Sequence, residues 1–134
     1  MPHTTSIIYL VDLEELLEPC VAVLDLFEFL EHEHRELLLS SLQPALVQMT
    51  AAVSGDMVKR LMQALLERSR AEDAEVRLAA LHCAQRIWSD LGVQVVMSLS
   101  EVVLYASELM EDEDPRVEQA VKALVRTIED GRYI

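Results

Sequence analysis

Aromatic residues, glycine and proline are all scarce in this 134-residue chain, which has 4% aromatics, three glycines and four prolines. A β-sandwich would need more tyrosine, phenylalanine and threonine in its strands and more glycine in its turns. The hydrophobic residues make up 51% of the chain and are mainly Leu, Val, Ala and Met, a mixture that favours helices. The composition therefore predicts an all-α fold, and the length predicts a single domain over residues 1–134.

Basic residues are scarce in the first half of the chain. Residues 1–58 hold ten acids and a single base, Arg35, and the whole chain has a formal net charge of −13. Because nucleic-acid binding depends on Lys and Arg that neutralise phosphates, this charge argues against direct contact with RNA or DNA. The cluster best suited to a local phosphate contact comprises Lys59, Arg60, Arg68 and Arg70.

Cysteine is rare as well, and neither Cys20 nor Cys83 has the C-x-x-C partner of a zinc or redox motif. Two isolated thiols in apolar helical settings indicate a reducing compartment. The N-terminus lacks the basic region of a signal peptide, and no window approaches the roughly eighteen apolar residues of a membrane span. The sequence therefore predicts a soluble, intracellular protein without membrane contact.

Apolar residues recur at three- and four-residue steps in several segments, which is the spacing of a helix that buries one face. The clearest segments are 94–110 and the stretch from Pro115 to Gly131, where proline suits the first turn and glycine the end. Residues 57–66 carry one apolar stripe, whereas 74–91 carry two. A helix that is apolar on two sides has to be covered on two sides, as in a stacked helical array.

The first two helices are predicted from weaker signals. Pro19 is placed at the start of a helix over 19–31, and a second helix is predicted over 35–53. Pro44 lies inside this second helix, where a proline removes a backbone hydrogen bond at a cost of about 3 kcal/mol. We therefore expect a bend or break within residues 40–43.

The later helices repeat at a fixed spacing. The segments "DAEVR" and "DPRVE" align Asp73 with Asp114 and Val76 with Val117 at one common offset. This offset is close to forty, a period typical of helical-hairpin repeats. An earlier segment aligns more weakly, with Leu37 matched to Val76 at a slightly shorter offset. The sequence thus predicts three antiparallel hairpins, over about 13–53, 56–91 and 94–130.

The Asp-x-x-Val pattern at the turn between paired helices resembles HEAT repeats, in which a turn Asp and a following Arg form ladders between neighbouring units. Asp73 and Arg77 fit this pattern, whereas Glu118 replaces the Arg in the last unit, which suits a terminal repeat. The repeat-turn structural residues are therefore predicted to be Asp73, Val76, Arg77, Asp114 and Val117.

Residues 64–130 more narrowly resemble the C-terminal end of the large HEAT-repeat protein of the U3 small nucleolar ribonucleoprotein. Residues 24–49 resemble an upstream segment of that family, with Pro44 and Gln48 at matching positions. The chain departs from the family in its "MSLSE" segment and in its length, since the family's members are very long. The later matching residues are Arg68, Asp73, Val76, Arg77, Ala80, Leu81, Leu91, Gly92, Glu108, Leu109, Glu111, Asp112, Val117 and Glu118.

This resemblance implies an α-solenoid of about three HEAT-like hairpins that acts as a non-enzymatic scaffold of the small-subunit processome. It implies a place in pre-ribosomal RNA transcription and processing, protein partners from a large ribonucleoprotein assembly, a nuclear and nucleolar location, and no cofactor. An unrelated cytoplasmic HEAT-repeat adaptor is the alternative within the same fold. The sequence leaves open whether the chain is a full gene product or a C-terminal piece of a longer protein.

A small metal-dependent enzyme is the alternative from another class, and it would use the acids of 111–114 or the pair His32 and His34. A calcium loop needs alternating ligands, a central glycine and a distant glutamate, none of which follows here. Histidines two apart on a helix diverge, whereas zinc motifs use four-residue or longer spacings. Acids before a helix are favoured by its dipole, and Asp114 can cap its free N–H groups. The residues therefore predict no metal and no catalytic site.

The first end of the predicted array is apolar. Ile7, Ile8, Tyr9, Leu10 and Phe29 would lie on a side that no preceding repeat covers. Exposed apolar ends of repeat arrays require caps or partners. Either the N-terminal segment folds back over this face, or the face is a protein interface with another protein or with a second copy of the chain.

Overall fold

The computed structural model of the protein describes residues 15–132. All regular elements in this part of the chain are helical, which confirms the all-α prediction. The helices, in chain order, are α1 (15–22), a 3-10 helix Val23–Phe29, α2 (His32–Ala52), α3 (Gly55–Arg68), α4 (Ala74–Val95), a 3-10 turn Val96–Ser98, α5 (Leu99–Leu109) and α6 (Pro115–Asp130).

Helix α4 lies at the centre of the fold, because it packs against α2, α3, α6 and the first 3-10 helix. The two apolar stripes predicted for it are covered, as its sequence requires. Residues of both stripes that are 3% exposed or less are Val76, Ala80, Cys83, Ile87, Leu81, Ala84 and Trp88. Helices α2 and α6 thus flank α4, and only its C-terminal half has an exposed face, at Arg86, Ser89 and Val93.

Two of the helix starts follow from their capping residues. The carboxylate of Asp73 accepts the backbone N–H of Glu75 at 2.8 Å, and that of Asp114 accepts the N–H of Arg116 at 2.9 Å. Pro115 occupies the first position of α6, where its missing N–H costs nothing. The capping therefore fixes where α4 and α6 begin.

The first helical segment differs from the prediction. Residues 15–18 are already α-helical, so Pro19 does not start the helix, and the chain continues from residue 23 as a 3-10 helix. Val21, Leu24 and Phe27 are all buried at 2% exposure or less. In a 3-10 helix residues three apart lie on one side, so this conformation directs both Leu24 and Phe27 at the core.

The predicted break near Pro44 does not occur, because α2 is continuous from His32 to Ala52. The flanking Leu42 and Leu46 are buried, at 6% and 0% exposure. We attribute the continuity to this burial, which offsets the single backbone hydrogen bond that proline removes.

The segment predicted as one helix over 94–110 belongs to two helices. Helix α4 runs on to Val95, with Leu91 outside the helical region at φ −130° and ψ 22°, and α5 begins only at Leu99. The intervening 3-10 turn rotates the chain, so the predicted common face is divided. Val96 and Val103, predicted to be buried with it, are 40% and 43% exposed.

A stretch within Ala74–Leu109 is apolar enough, by length and composition alone, to cross a membrane. The expectation that no window approaches this threshold was therefore wrong. The stretch is interrupted at Leu91 and again at Val96–Ser98.

Two leucines of α2 test the packing directly. Replacing Leu46, which is fully buried, by alanine should lower the free energy of unfolding by about 3 kcal/mol through lost burial and a residual cavity. The same change at Leu37, which is 67% exposed, should cost less than about 0.5 kcal/mol. Urea unfolding followed by circular dichroism measures both, and equal losses would contradict the described face of α2.

Candidate functional site: contacts between repeated helices

Helices α2, α4 and α6 can be compared from their N-terminal caps, and we call these three the repeat helices. Their N-cap residues are Glu31, Asp73 and Asp114. The interval from Glu31 to Asp73 is one residue longer than the interval from Asp73 to Asp114. With the caps superposed, Leu37 corresponds to Ala79 and not to Val76. Superposition of the caps therefore gives a different correspondence from the predicted match of Leu37 to Val76.

Arginine occupies the fourth position of the first two repeat helices. Arg77 donates from Nη1 to the carbonyl oxygens of Ala71 and Glu72, at 3.0 and 2.7 Å. Arg35 likewise donates from Nη1 to the carbonyl of Leu30, which precedes α2. Both arginines thereby satisfy backbone oxygens just before their own helix.

The same two arginines also pair forward with the next repeat. The Nε atom of Arg35 lies 3.2 Å from Oε2 of Glu75, and that of Arg77 lies 3.0 Å from Oδ2 of Asp112. In α6 the equivalent residue is Glu118, which pairs with Lys122 of its own helix at 2.8 Å. The arginine ladder thus joins the first repeat helix to the second and the second to the turn before the third, and it ends at α6.

Asp112 is the ladder residue that sequence reasoning missed. Its side chain is 9% exposed and faces Arg77, which is 10% exposed. Its Oδ1 atom also accepts the N–H of Asp114 at 2.9 Å. The predicted turn residues Asp73 and Asp114 cap their helices, as expected for Asp114. Val76 and Val117, three residues after each cap, are buried at 3% and 0% exposure.

A pair of glutamines makes a second set of contacts. Gln43 and Gln85 both occupy the twelfth position of their helices. Gln43 donates to the carbonyl of His82 at 3.2 Å, and Gln85 donates to the hydroxyl of Thr127 at 3.4 Å. The identical residue at equivalent positions of two repeat helices was the signal that could have revealed this contact.

Glu75 joins all three repeat helices, because it also binds Nη1 of Arg116 at 2.8 Å. Arg116 in turn pairs with Asp114 at 2.9 Å. These hydrogen bonds lower the pKa of Asp114 and raise the pKa of Arg116. Asp114 and Arg116 therefore stay ionised at neutral pH, and the network links the N-terminal ends of the helices.

Beside this network lies a cavity of about 210 Å³ between α2, α4 and α6. His32, Glu36 and His82 share its lining with the ladder residues. Burial lowers the pKa of His82, an effect that the charge of Glu36 opposes. The cavity thus combines charges of both signs with a histidine whose neutral form is favoured.

The predicted basic cluster is partly neutralised within the fold. Arg70 binds Glu108 through two hydrogen bonds of 2.8 and 2.6 Å and stacks 4.0 Å from the centre of the Tyr105 ring. These bonds lower the pKa of Glu108. Arg68 lies 3.5 Å from Asp25, which leaves Lys59 and Arg60 as exposed bases on α3. Two of the four bases, Arg68 and Arg70, therefore form ion pairs with distant parts of the chain.

The residues considered as metal ligands are dispersed. His32 and His34 are exposed in the first turn of α2, and Asp112 is held by Arg77. Within residues 15–132, no three His, Cys, Asp or Glu side chains are grouped in a way that could hold a metal ion.

Of the predicted N-terminal interface, Ile7, Ile8, Tyr9 and Leu10 lie outside the described residues. Phe29 is 78% exposed at the end of the first 3-10 helix. Leu26, three residues earlier and 52% exposed, lies on the same side because residues three apart are eclipsed in this helix. An apolar surface is therefore present beside the start of α2.

The buried ladder pair gives a stability prediction. Arg77→Met should lower the free energy of unfolding by about 3 kcal/mol, because it removes the counter-ion of the buried Asp112 carboxylate and the donor to two carbonyl oxygens. The matched change Arg86→Met removes an exposed pair with Asp90 and should cost less than about 0.5 kcal/mol. Denaturant unfolding checks the difference, and similar small losses would show that the ladder contributes little.

The two thiols should differ in reactivity. Burial raises the pKa of Cys83 to about 12, so at pH 8 its reactive thiolate is almost absent in the folded state. In a Cys20→Ser variant, Ellman's reagent should label Cys83 only at the rate of unfolding, and at once after addition of denaturant. Rapid labelling under native conditions would contradict the described burial.

Comparison with known proteins reveals similarity to one group of curated proteins. The chain is 42% identical over 79 residues to U3 small nucleolar RNA-associated protein 10 of Pyricularia oryzae, which is 59% of this chain and 4% of that protein. It is 37% identical over 87 residues to the Neurospora crassa protein of the same name, covering 64% of this chain and 5% of that one. The Aspergillus niger protein is 36% identical over 106 residues, or 70% of this chain and 6% of its own length.

The chain therefore spans about one twentieth of the length of the curated relatives that it matches. No protein-family model matches it, and no solved structure matches it significantly. Identities of this size over 79 to 106 residues confirm the resemblance read from the sequence. Over 59 to 70% of its length, this chain is a sequence relative of the U3 small nucleolar RNA-associated protein 10 proteins.

Proposed function

We propose that the chain is a helical-repeat segment that acts as a non-enzymatic, protein-binding scaffold within a U3 small nucleolar ribonucleoprotein assembly. The observation that carries the proposal is its identity of 36 to 42% to proteins named for their association with U3 small nucleolar RNA. By the same reasoning, the chain takes part in ribosome biogenesis in the nucleus and nucleolus, as a component of the small-subunit processome.

The arrangement of the helices supports a structural role. Ladders of arginine and glutamine join successive repeat helices at equivalent positions, which is the arrangement we expect of stacked HEAT-like hairpins. The arginine and glutamine side chains of these ladders each bind a group outside their own helix. We therefore propose that predicted hairpins 13–53, 56–91 and 94–130 form a short solenoid, and that it corresponds to the C-terminal part of the longer relatives.

The charge of the chain supports protein contacts over RNA contacts. With a net charge of −13, and with Arg68 and Arg70 paired to carboxylates, the chain offers little to a phosphate backbone. Association with U3 RNA would then be indirect, through protein partners that carry the complementary charge.

Affinity purification from the cells that express the chain tests this function. A tagged chain should enrich U3 RNA over an unrelated small nucleolar RNA, measured by quantitative PCR against a tag-only control. Digestion with ribonuclease should remove the RNA but leave the nearest protein partners bound. Equal recovery of both RNAs, or a reproducible set of cytoplasmic proteins without U3 RNA, would contradict the proposal and identify an unrelated adaptor.

A further inference from the structure

His82 occupies a position that carries no titratable side chain in the other two repeat helices. It is the ninth residue of α4, where α2 has Ser40 and α6 has Ala123. It lines the cavity of about 210 Å³ between these three helices, together with the apolar side chains of Leu39 and Leu78. A titratable group thus lies in the one repeat helix that packs against both of the others.

The charges around this cavity are balanced while His82 is neutral. Arg35 of α2 and Arg116 of α6 line it with two positive charges. Glu36 of α2 and Glu75 of α4 line it with two negative charges. Glu75 is already shared between both arginines, at 3.2 and 2.8 Å. A proton on His82 would therefore add a positive charge to a cavity in which one of the two carboxylates is already paired.

The surroundings of His82 compensate only part of that added charge. Burial disfavours the charged form and lowers the pKa of His82, and the charge of Glu36 opposes this effect without cancelling it. The other histidine of the lining, His32, is exposed in the first turn of α2. The first 3-10 helix contributes Phe27 to the lining, which has no charge. The neutral imidazole is therefore the form that suits the folded cavity.

The backbone of His82 takes part in the contact between α2 and α4. Its carbonyl oxygen accepts the side-chain amide of Gln43 at 3.2 Å, so the residue that can gain a proton also receives a hydrogen bond from the neighbouring repeat helix. A protonated ring that moves towards water would displace this carbonyl. We propose that His82 makes the contact between α2 and α4 sensitive to pH. The contact is held at neutral pH and loosens in mildly acidic solution, when the imidazole gains a proton.

Urea unfolding between about pH 7.5 and about pH 5.5 tests this sensitivity, since carboxylates titrate mainly below this range. Because the pKa of His82 is lowered in the folded chain, the unfolded chain binds more protons here, and stability falls as the pH falls. The ratio of folded to unfolded chain should drop about threefold or more. His82→Gln should lose most of this drop, whereas His34→Gln, at an exposed position outside the cavity lining, should keep it.

Nuclear magnetic resonance of the full chain locates the proton without relying on the variants' stability. The ring signals of His82 should titrate at lower pH in the folded chain than in the same chain in urea, and Glu36→Gln should lower this midpoint further. The side-chain amide signals of Gln43 should shift with the same midpoint. Equal midpoints in folded and unfolded chain, unchanged Gln43 signals, or a drop in stability that persists in His82→Gln would overturn the inference.

Discussion

The burial of the two apolar stripes of α4 is the constraint on which the rest of this structure depends. A helix that is apolar around most of its circumference is stable in water only if neighbours cover it, and here α2, α3, α6 and a 3-10 helix do so. Once these neighbours are in place, any polar group at their contacts has to find a partner, since an unpaired buried charge costs several kcal/mol. Arg77 meets this requirement with two carbonyl oxygens and one carboxylate.

The free energy of folding and the alignment of the helices have different sources. Burial of aliphatic side chains drives association, but it tolerates sliding because leucine and valine contacts are not directional. The hydrogen bonds that Arg77, Gln43 and Gln85 donate are directional, and each joins a fixed position of one helix to the next unit. The ion pair between Arg35 and Glu75 makes a further link of this kind. We interpret the polar ladders as the features that set the register of the repeat helices. The two cap-to-cap intervals differ by one residue, but the ladder residues keep the same positions within their helices.

Much of α3, α4 and α6 was predictable from the sequence, because their apolar stripes and caps are local signals. The 3-10 helix was not, since its conformation follows from burying Leu24 and Phe27 against α4, a helix much later in the chain. The continuity of α2 through Pro44 likewise depends on tertiary packing. Asp112 is one of four consecutive acids that look alike in sequence, and only the geometry of the turn directs its carboxylate toward Arg77. The carboxylate that Arg77 meets is that of Asp112, which the sequence pattern did not single out.

The replacement of arginine by Glu118 has a consequence for the behaviour of the chain at high concentration. A stack with identical first and last units can add copies head to tail without limit, and such open contacts produce fibres. In this chain the last repeat helix presents Glu118 where the ladder requires a base, and the first presents Glu33 as its acceptor. Two carboxylates would face each other at that junction. At these two positions, charge repulsion would oppose a head-to-tail contact that continues the arginine ladder.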